Sequence, residues 1–210
     1  MKRLKVHPNC ALIVVDVQND FLPGGALAVP EGDAVVEPVN SLMHCFDLVV
    51  LTADWHPADH ESFAANHPGK KPFESVRLNG VEQVLWPAHC IAGSSGALFS
   101  DALNASCAAL IVRKGMRKTC DSYSAFVEAD RKTRTGLAGW LREREVEEVY
   151  VCGLALDFCV SATAFDAAEA GFQTTVVLDA CRAINSDAQS LRELADAWHQ
   201  AGIRTMSCSE

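Results

Sequence analysis

The sequence predicts an α/β fold: a three-layer α/β/α domain built on a six-stranded parallel sheet. Three observations predict it. Apolar runs alternate with segments of helical spacing, the order that builds a parallel sheet covered by helices on both faces. The runs are continuously apolar, as strands buried on both sides are. The 210 residues, 49% hydrophobic and 21% charged, show no linker and no internal repeat, so one domain with a sizeable core should span residues 1–210.

The elements follow in order. CALIVVDV (10–17) reads as a buried strand. Residues 33–46 carry helical spacing at Val35, Val36, Val39, Leu42 and Met43, with Asp33 placed to cap them. DLVVLTA (47–53) is a second strand. Residues 54–108 are irregular and rich in Pro, Gly, His and Ser; a loop of that length in a compact domain is usually functional. AALIVRKG (108–115) is a third strand, GLAGWLREREV (136–146) an amphipathic helix and EVYVCGL (148–154) a fourth strand. DFCVSATAFDAAEAGF (157–172) is a helix closed by Gly171. TTVVLDA (174–180) is a fifth strand, 186–201 a helix followed by Gly202, and IRTMSCS (203–209) a short sixth strand.

Composition excludes several classes. A formal charge of -9 argues against nucleic-acid binding, which needs a basic face. No apolar run approaches the ~20 residues of a membrane helix. The basic start meets Asp16 after a short apolar run with no small-residue cleavage site, so no secretory leader is expected. The nine cysteines are scattered, without a CxxC pair, which fits a reducing cytoplasm better than a disulfide framework. Homo-oligomerisation is compatible with the sequence and not decided by it.

Ligands of open parallel sheets bind beyond the carboxyl ends of the strands. The first strand ends in Asp16, the second in Asp54 followed by His56 and His60, and the third in Lys114; Cys159 opens the helix after the fourth. A cysteine in the first turn of a helix meets free N–H groups and the positive end of the dipole, which favour thiolate, and Lys114 would favour it further. The same N–H groups can hold an oxyanion. Asp16 would then be the general base. The plainer readings are a buried structural thiol, a loop-capping aspartate and a solvated lysine. The triad also has a difficulty: with strand order 3-2-1-4, Lys114 starts two strand spacings from Asp16, roughly 9–10 Å.

TADWHPADHESF (52–63) raises a second question, because Asp54, His56 and His60 crowd one turn of loop, and WPAHC adds His89. Solvated loop residues are one reading. The other is a site for one divalent metal, Zn, Fe or Mn, since one carboxylate and three imidazoles suit such ions.

VVDVQNDFLPGGALAV, DWHPADH, WPAHC, VRKG and GLALDFCVSATAFDA, in this order, resemble the nicotinamidases (pyrazinamidases) of the isochorismatase-like cysteine hydrolases, from about Ala11 to Ser207. The resemblance implies a catalytic triad of Asp16, Lys114 and Cys159, and a metal held by Asp54, His56, His60 and His89. It implies a cis peptide at Leu154–Ala155 and an oxyanion hole from the backbone N–H groups of Ala155 and Cys159. It places Phe21, Trp86 and Tyr123, with Leu154 beside them, at the substrate. The implied reaction turns nicotinamide and water into nicotinate and ammonia, with pyrazinamide as an analogue and the metal at the pyridine nitrogen. Two positions depart from the family pattern: Phe158 stands where some members carry His or Tyr, and Leu156 where Thr is common. Both bear on substrate range rather than on the triad.

Two other readings compete. A related amidase acting on carbamoyl or ureido compounds would lack the metal cluster. A non-catalytic metal- or redox-responsive protein would have no use for Asp16 and Lys114.

Overall fold

The computed structural model describes residues 7–208. Its centre is a six-stranded parallel sheet. The strands are β1 (Cys10–Val15), β2 (Val49–Asp54), β5 (Leu110–Lys114), β6 (Glu148–Leu154), β7 (Gln173–Arg182) and β8 (Arg204–Met206). They lie in the order β5-β2-β1-β6-β7-β8. Flanking helices are α1 (Val36–Met43), α2 (Leu137–Arg142), α3 (Ser161–Glu169) and α4 (Ala188–Gln200). Every residue of β1 and β2 is buried, which explains their unbroken apolar sequence. Among the described residues no helix is long and apolar enough to cross a membrane.

Helix ends depart from the expected bounds, each for a local reason. Asp33 does not cap α1: Gly32–Val35 form a separate 3-10 turn, and α1 starts at Val36 without a side-chain cap. α2 stops at Arg142 rather than Val146, because the chain turns through Glu145 at φ 57° to enter β6. Asp187 caps α4, accepting from the N–H groups of Gln189 and Ser190.

The segment 54–108 is more ordered than its composition suggests. It contains an antiparallel hairpin, β3 (Ser75–Leu78) and β4 (Val81–Val84). Asn79 (φ 50°) and Gly80 (φ 86°) form its two-residue turn, where both positions need the left-handed region.

Register places the site. Val15 pairs with Gly153, and Asp54 with Lys114, so the carboxyl ends of β1, β2, β5 and β6 finish level with one another. Gly153 lies at φ 112°, and a Cβ there would stand 2.1 Å from the Val15 carbonyl oxygen. Only glycine lets β6 approach β1 so closely.

Candidate active site

Asp16 leaves β1 at φ 49° and is fully buried. Thr52, on β2, donates its hydroxyl to Asp16 Oδ1 (2.6 Å) and accepts from the Asp16 N–H (3.2 Å). Lys114 closes the gap that strand spacing left open. Its long side chain crosses the end of β2 and sets Nζ 2.8 Å from Asp16 Oδ2. The same ammonium donates to Asp54 Oδ1 (2.5 Å), the Ser122 carbonyl (3.0 Å) and Cys159 Sγ (3.4 Å). Cys159 sits in a π-helical turn, Leu156–Val160, that leads into α3. Its sulfur, an Asp16 carboxylate oxygen and an Asp54 oxygen all lie within 4.8 Å of one another. The peptide Leu154–Ala155 is cis. Asp157 ties this turn to the end of β7 by accepting from the N–H groups of Ile184 and Asn185.

The electrostatics are those of a buried site. Burial raises Asp16 to about 6 against the pull of Lys114. Burial opposes charge on Lys114 too, but Asp16 and Asp54 outweigh it and hold its pKa well above the usual value. Burial also pushes the Cys159 thiol well up; Lys114 draws it down, and the two carboxylates push it up again. Burial of the network thus opposes the thiolate that the helix start and Lys114 favour.

The predicted metal donors separate into two groups that share His56. Asp54, His56 and His89 form one; His56, His60 and Asp121 form the other. His56 and His89 direct Nε2 at Asp54 Oδ2, at 3.7 and 3.9 Å. The Nδ1 of His56 lies 2.9 Å from the Gly115 carbonyl, and that of His89 lies 2.8 Å from the Pro87 carbonyl. A carbonyl only accepts, so each Nδ1 carries a proton and each Nε2 faces inward, where it can offer a lone pair when the ring is neutral. His60 is turned differently: its Nδ1 meets Ser62 Oγ (2.7 Å), and its Nε2 lies 3.4 Å from the Cys120 carbonyl. The four expected donors therefore fall in two overlapping clusters joined through His56.

The donor set fits a divalent ion. The ring of His56 lies 4.5 Å from that of His60 and 5.0 Å from that of His89, too close for three imidazolium charges. Burial, then the His56 charge, lowers His60 and His89, keeping them neutral. Burial opposes charge on His56, but Asp54 overrides it and raises its pKa. Asp54 itself stays well below the carboxylate range: burial opposes this, and Lys114 and His56 override it. With the His56 proton given up to an incoming ion, Asp54 Oδ2 and two imidazole nitrogens make a cation site.

Between the nucleophile and this cluster lies a cavity of about 20 Å³. Phe21, Trp86 and Tyr123 line it as expected, and so do Ala155, Cys159 and Phe158. Leu154 does not: it is fully buried, with Cδ1 near Gly32. Sequence reasoning missed Leu27, Ile184 and Asp121 as lining residues. Asp121 precedes the recognised Tyr123 by two positions, a carboxylate that position alone could have flagged. It also missed Gln18, whose carboxamide clamps the Asp54 backbone, donating to its carbonyl (2.9 Å) and accepting from its N–H (2.8 Å).

Comparison with known proteins agrees with this geometry. The isochorismatase domain model matches residues 10–209. A nicotinamidase of Acinetobacter baylyi is 50% identical over 208 residues, covering 98% of this chain and 95% of the relative. Among solved structures, a nicotinamidase/pyrazinamidase of Acinetobacter baumanii superposes with a TM-score of 0.94 at 51% identity, covering 98% of this chain and 99% of the other. A pyrazinamidase of Pyrococcus horikoshii in complex with zinc gives 0.78 at 35% identity, over 95% and 99% of the two chains. The chain belongs to the nicotinamidases of the isochorismatase-domain family.

Proposed function

We propose that this chain is a cytoplasmic nicotinamide amidohydrolase, converting nicotinamide and water to nicotinate and ammonia, and accepting pyrazinamide, through a thioester on Cys159. The observation that carries this reading is the placement of Cys159 Sγ, 3.4 Å from Lys114 Nζ and beside Asp16, next to the Asp54–His56–His89 cluster in one aromatic-walled cavity.

Asp16 takes the thiol proton as Sγ bonds to the amide carbon. Lys114 stays protonated between Asp16 and Asp54 and balances the charge that moves onto sulfur. The carbonyl oxygen becomes an oxyanion and accepts from the backbone N–H groups of Ala155 and Cys159. Asp16 returns its proton to the nitrogen, the C–N bond breaks and ammonia leaves. A water molecule then attacks the thioester while Asp16 takes its proton. The C–S bond breaks, nicotinate departs, and the proton returns to sulfur.

Asp54, His56 and His89 would hold one divalent ion, Zn, Fe or Mn, with His60 beside them. When bound, it supplies a positive coordination point for the pyridine nitrogen. Support comes from the inward Nε2 atoms and from the zinc complex of the relative. Phe21, Trp86, Tyr123 and Phe158 would hold the ring, an orienting role that contributes several kcal/mol.

The test is a comparison of nicotinamide with benzamide, which lacks the ring nitrogen, in ammonia-release assays of the metal-loaded protein. Nicotinamide should be turned over at least about a hundredfold faster in kcat/KM. Equal rates would remove ring recognition from the account.

A further inference from the structure

The cavity at Cys159 is too small for the substrate proposed above. About 20 Å³ admits little more than a single water, so a wall must move before a pyridine ring enters. Most of the lining is fastened. The segment bearing Phe21 and Leu27 is held by backbone bonds from Asn19 to Leu98 and from Asp20 to Gly96, and Asp20 also accepts from the Cys90 N–H. The nucleophile turn is tied down by Asp157.

Tyr123 is held from outside the cavity by the β3–β4 hairpin and by Trp86, whose own backbone is pinned to Ser62 and Ala64. The hairpin pairs with no other strand among the described residues. Gln83 is the buried residue of an otherwise exposed or half-exposed β4, 5% exposed. Its Nε2 donates to Asp121 Oδ2 (2.9 Å) and to the Val84 carbonyl (2.8 Å), and one of its two hydrogens is shared with the Tyr123 hydroxyl (3.3 Å). Trp86 Nε1 also donates to the Tyr123 hydroxyl (3.0 Å). The proton of Tyr123 therefore has no acceptor among the described residues, which leaves a donor for a bound molecule. At the base of the hairpin, Phe73 is 62% exposed, sits at φ 72° and stacks edge-on against Trp86 (5.9 Å).

We propose that Gln83 is a positioning residue for the substrate pocket: from the hairpin it fixes the Tyr123 hydroxyl and the Asp121 carboxylate, and its release widens the narrow pocket. The role in turnover rests on the nicotinamidase reading. The latch itself does not.

The test uses two variants of the metal-loaded protein. Gln83→Leu keeps the volume and removes the donors. Gln83→Glu keeps the shape and sets a carboxylate against Asp121. Iodoacetamide labelling of Cys159, followed by peptide mass spectrometry, reads opening without any substrate. Both variants should label Cys159 about tenfold faster than the wild type, the scale of one or two lost hydrogen bonds. Labelling of Cys152, fully buried in β6, should not change. With nicotinamide, the bound ring would meet a Tyr123 hydroxyl no longer held in place, and this loss should outweigh the easier entry: KM should rise about tenfold and kcat change less than about threefold. Unchanged Cys159 labelling overturns the proposal. So does Cys152 labelling that accelerates in step, which would make Gln83 a general fold contact. Wild-type protein that releases no ammonia from nicotinamide, yet shows the labelling pattern, would overturn the substrate reading and leave the latch standing.

Discussion

Lys114 Nζ lies 2.5 Å from Asp54 Oδ1, across the register that pairs β5 with β2, while Asp54 Oδ2 faces His56 and His89. One carboxylate thus joins the nucleophile's charge network to the proposed metal ligands. Lys114 is also the cation shared by two buried carboxylates, Asp16 and Asp54. Removing it leaves two negative groups unpaired in a buried site. Lys114→Met should abolish ammonia release and cost about 3–5 kcal/mol in denaturant unfolding. Retained stability would show that the network carries no such load.

The pH profile follows from Asp16. It must be a carboxylate to accept the thiol proton, and burial sets its pKa at about 6. Below that value kcat/KM should fall about tenfold per pH unit. For stability the sign is opposite. The folded pKa exceeds the ordinary carboxylate value of 3.8, so this group's contribution is full below 3.8 and is lost as pH rises through about 6. An acid limb that persists unchanged in active Asp16→Asn protein would assign it to another group.

Gly115 supports His56 from below. It lies at φ 62°, and a Cβ there would stand 2.4 Å from the imidazole Cε1. Gly115→Ala should tilt the ring and lower bound metal, read by elemental analysis of dialysed protein, to the level of His56→Ala. Full metal content in either variant would contradict the ligand assignment.

Gly153→Ala tests the close approach of β6 to β1. The added methyl meets the Val15 carbonyl at 2.1 Å and demands an unfavourable backbone at φ 112°. It should lower stability by more than about 3 kcal/mol and displace the turn that carries Cys159. Wild-type stability would mean that the strands separate freely there.

Much of this was legible in the sequence. Continuous apolar runs fixed the strands, and chemistry-bearing residues at their ends fixed the rim, because topology forces both. Helix ends were less legible: Asp33 has a capping residue's chemistry, but a 3-10 turn intervened. The hairpin had a signal in Asn79–Gly80 that the loop's polar composition obscured. The upward push on the Cys159 thiol was not legible, because it comes from burial of the whole network rather than from the helix start. The orientation of His60 depends on Ser62 and Cys120, contacts that spacing does not reveal.

The central claim is covalent catalysis by Cys159. Metal-loaded protein mixed with nicotinamide and quenched in acid should show a nicotinoyl group on the Cys159 peptide by mass spectrometry. Cys159→Ala should show neither the adduct nor ammonia release, with its fold intact. Ammonia release by Cys159→Ala at the wild-type rate would contradict the account.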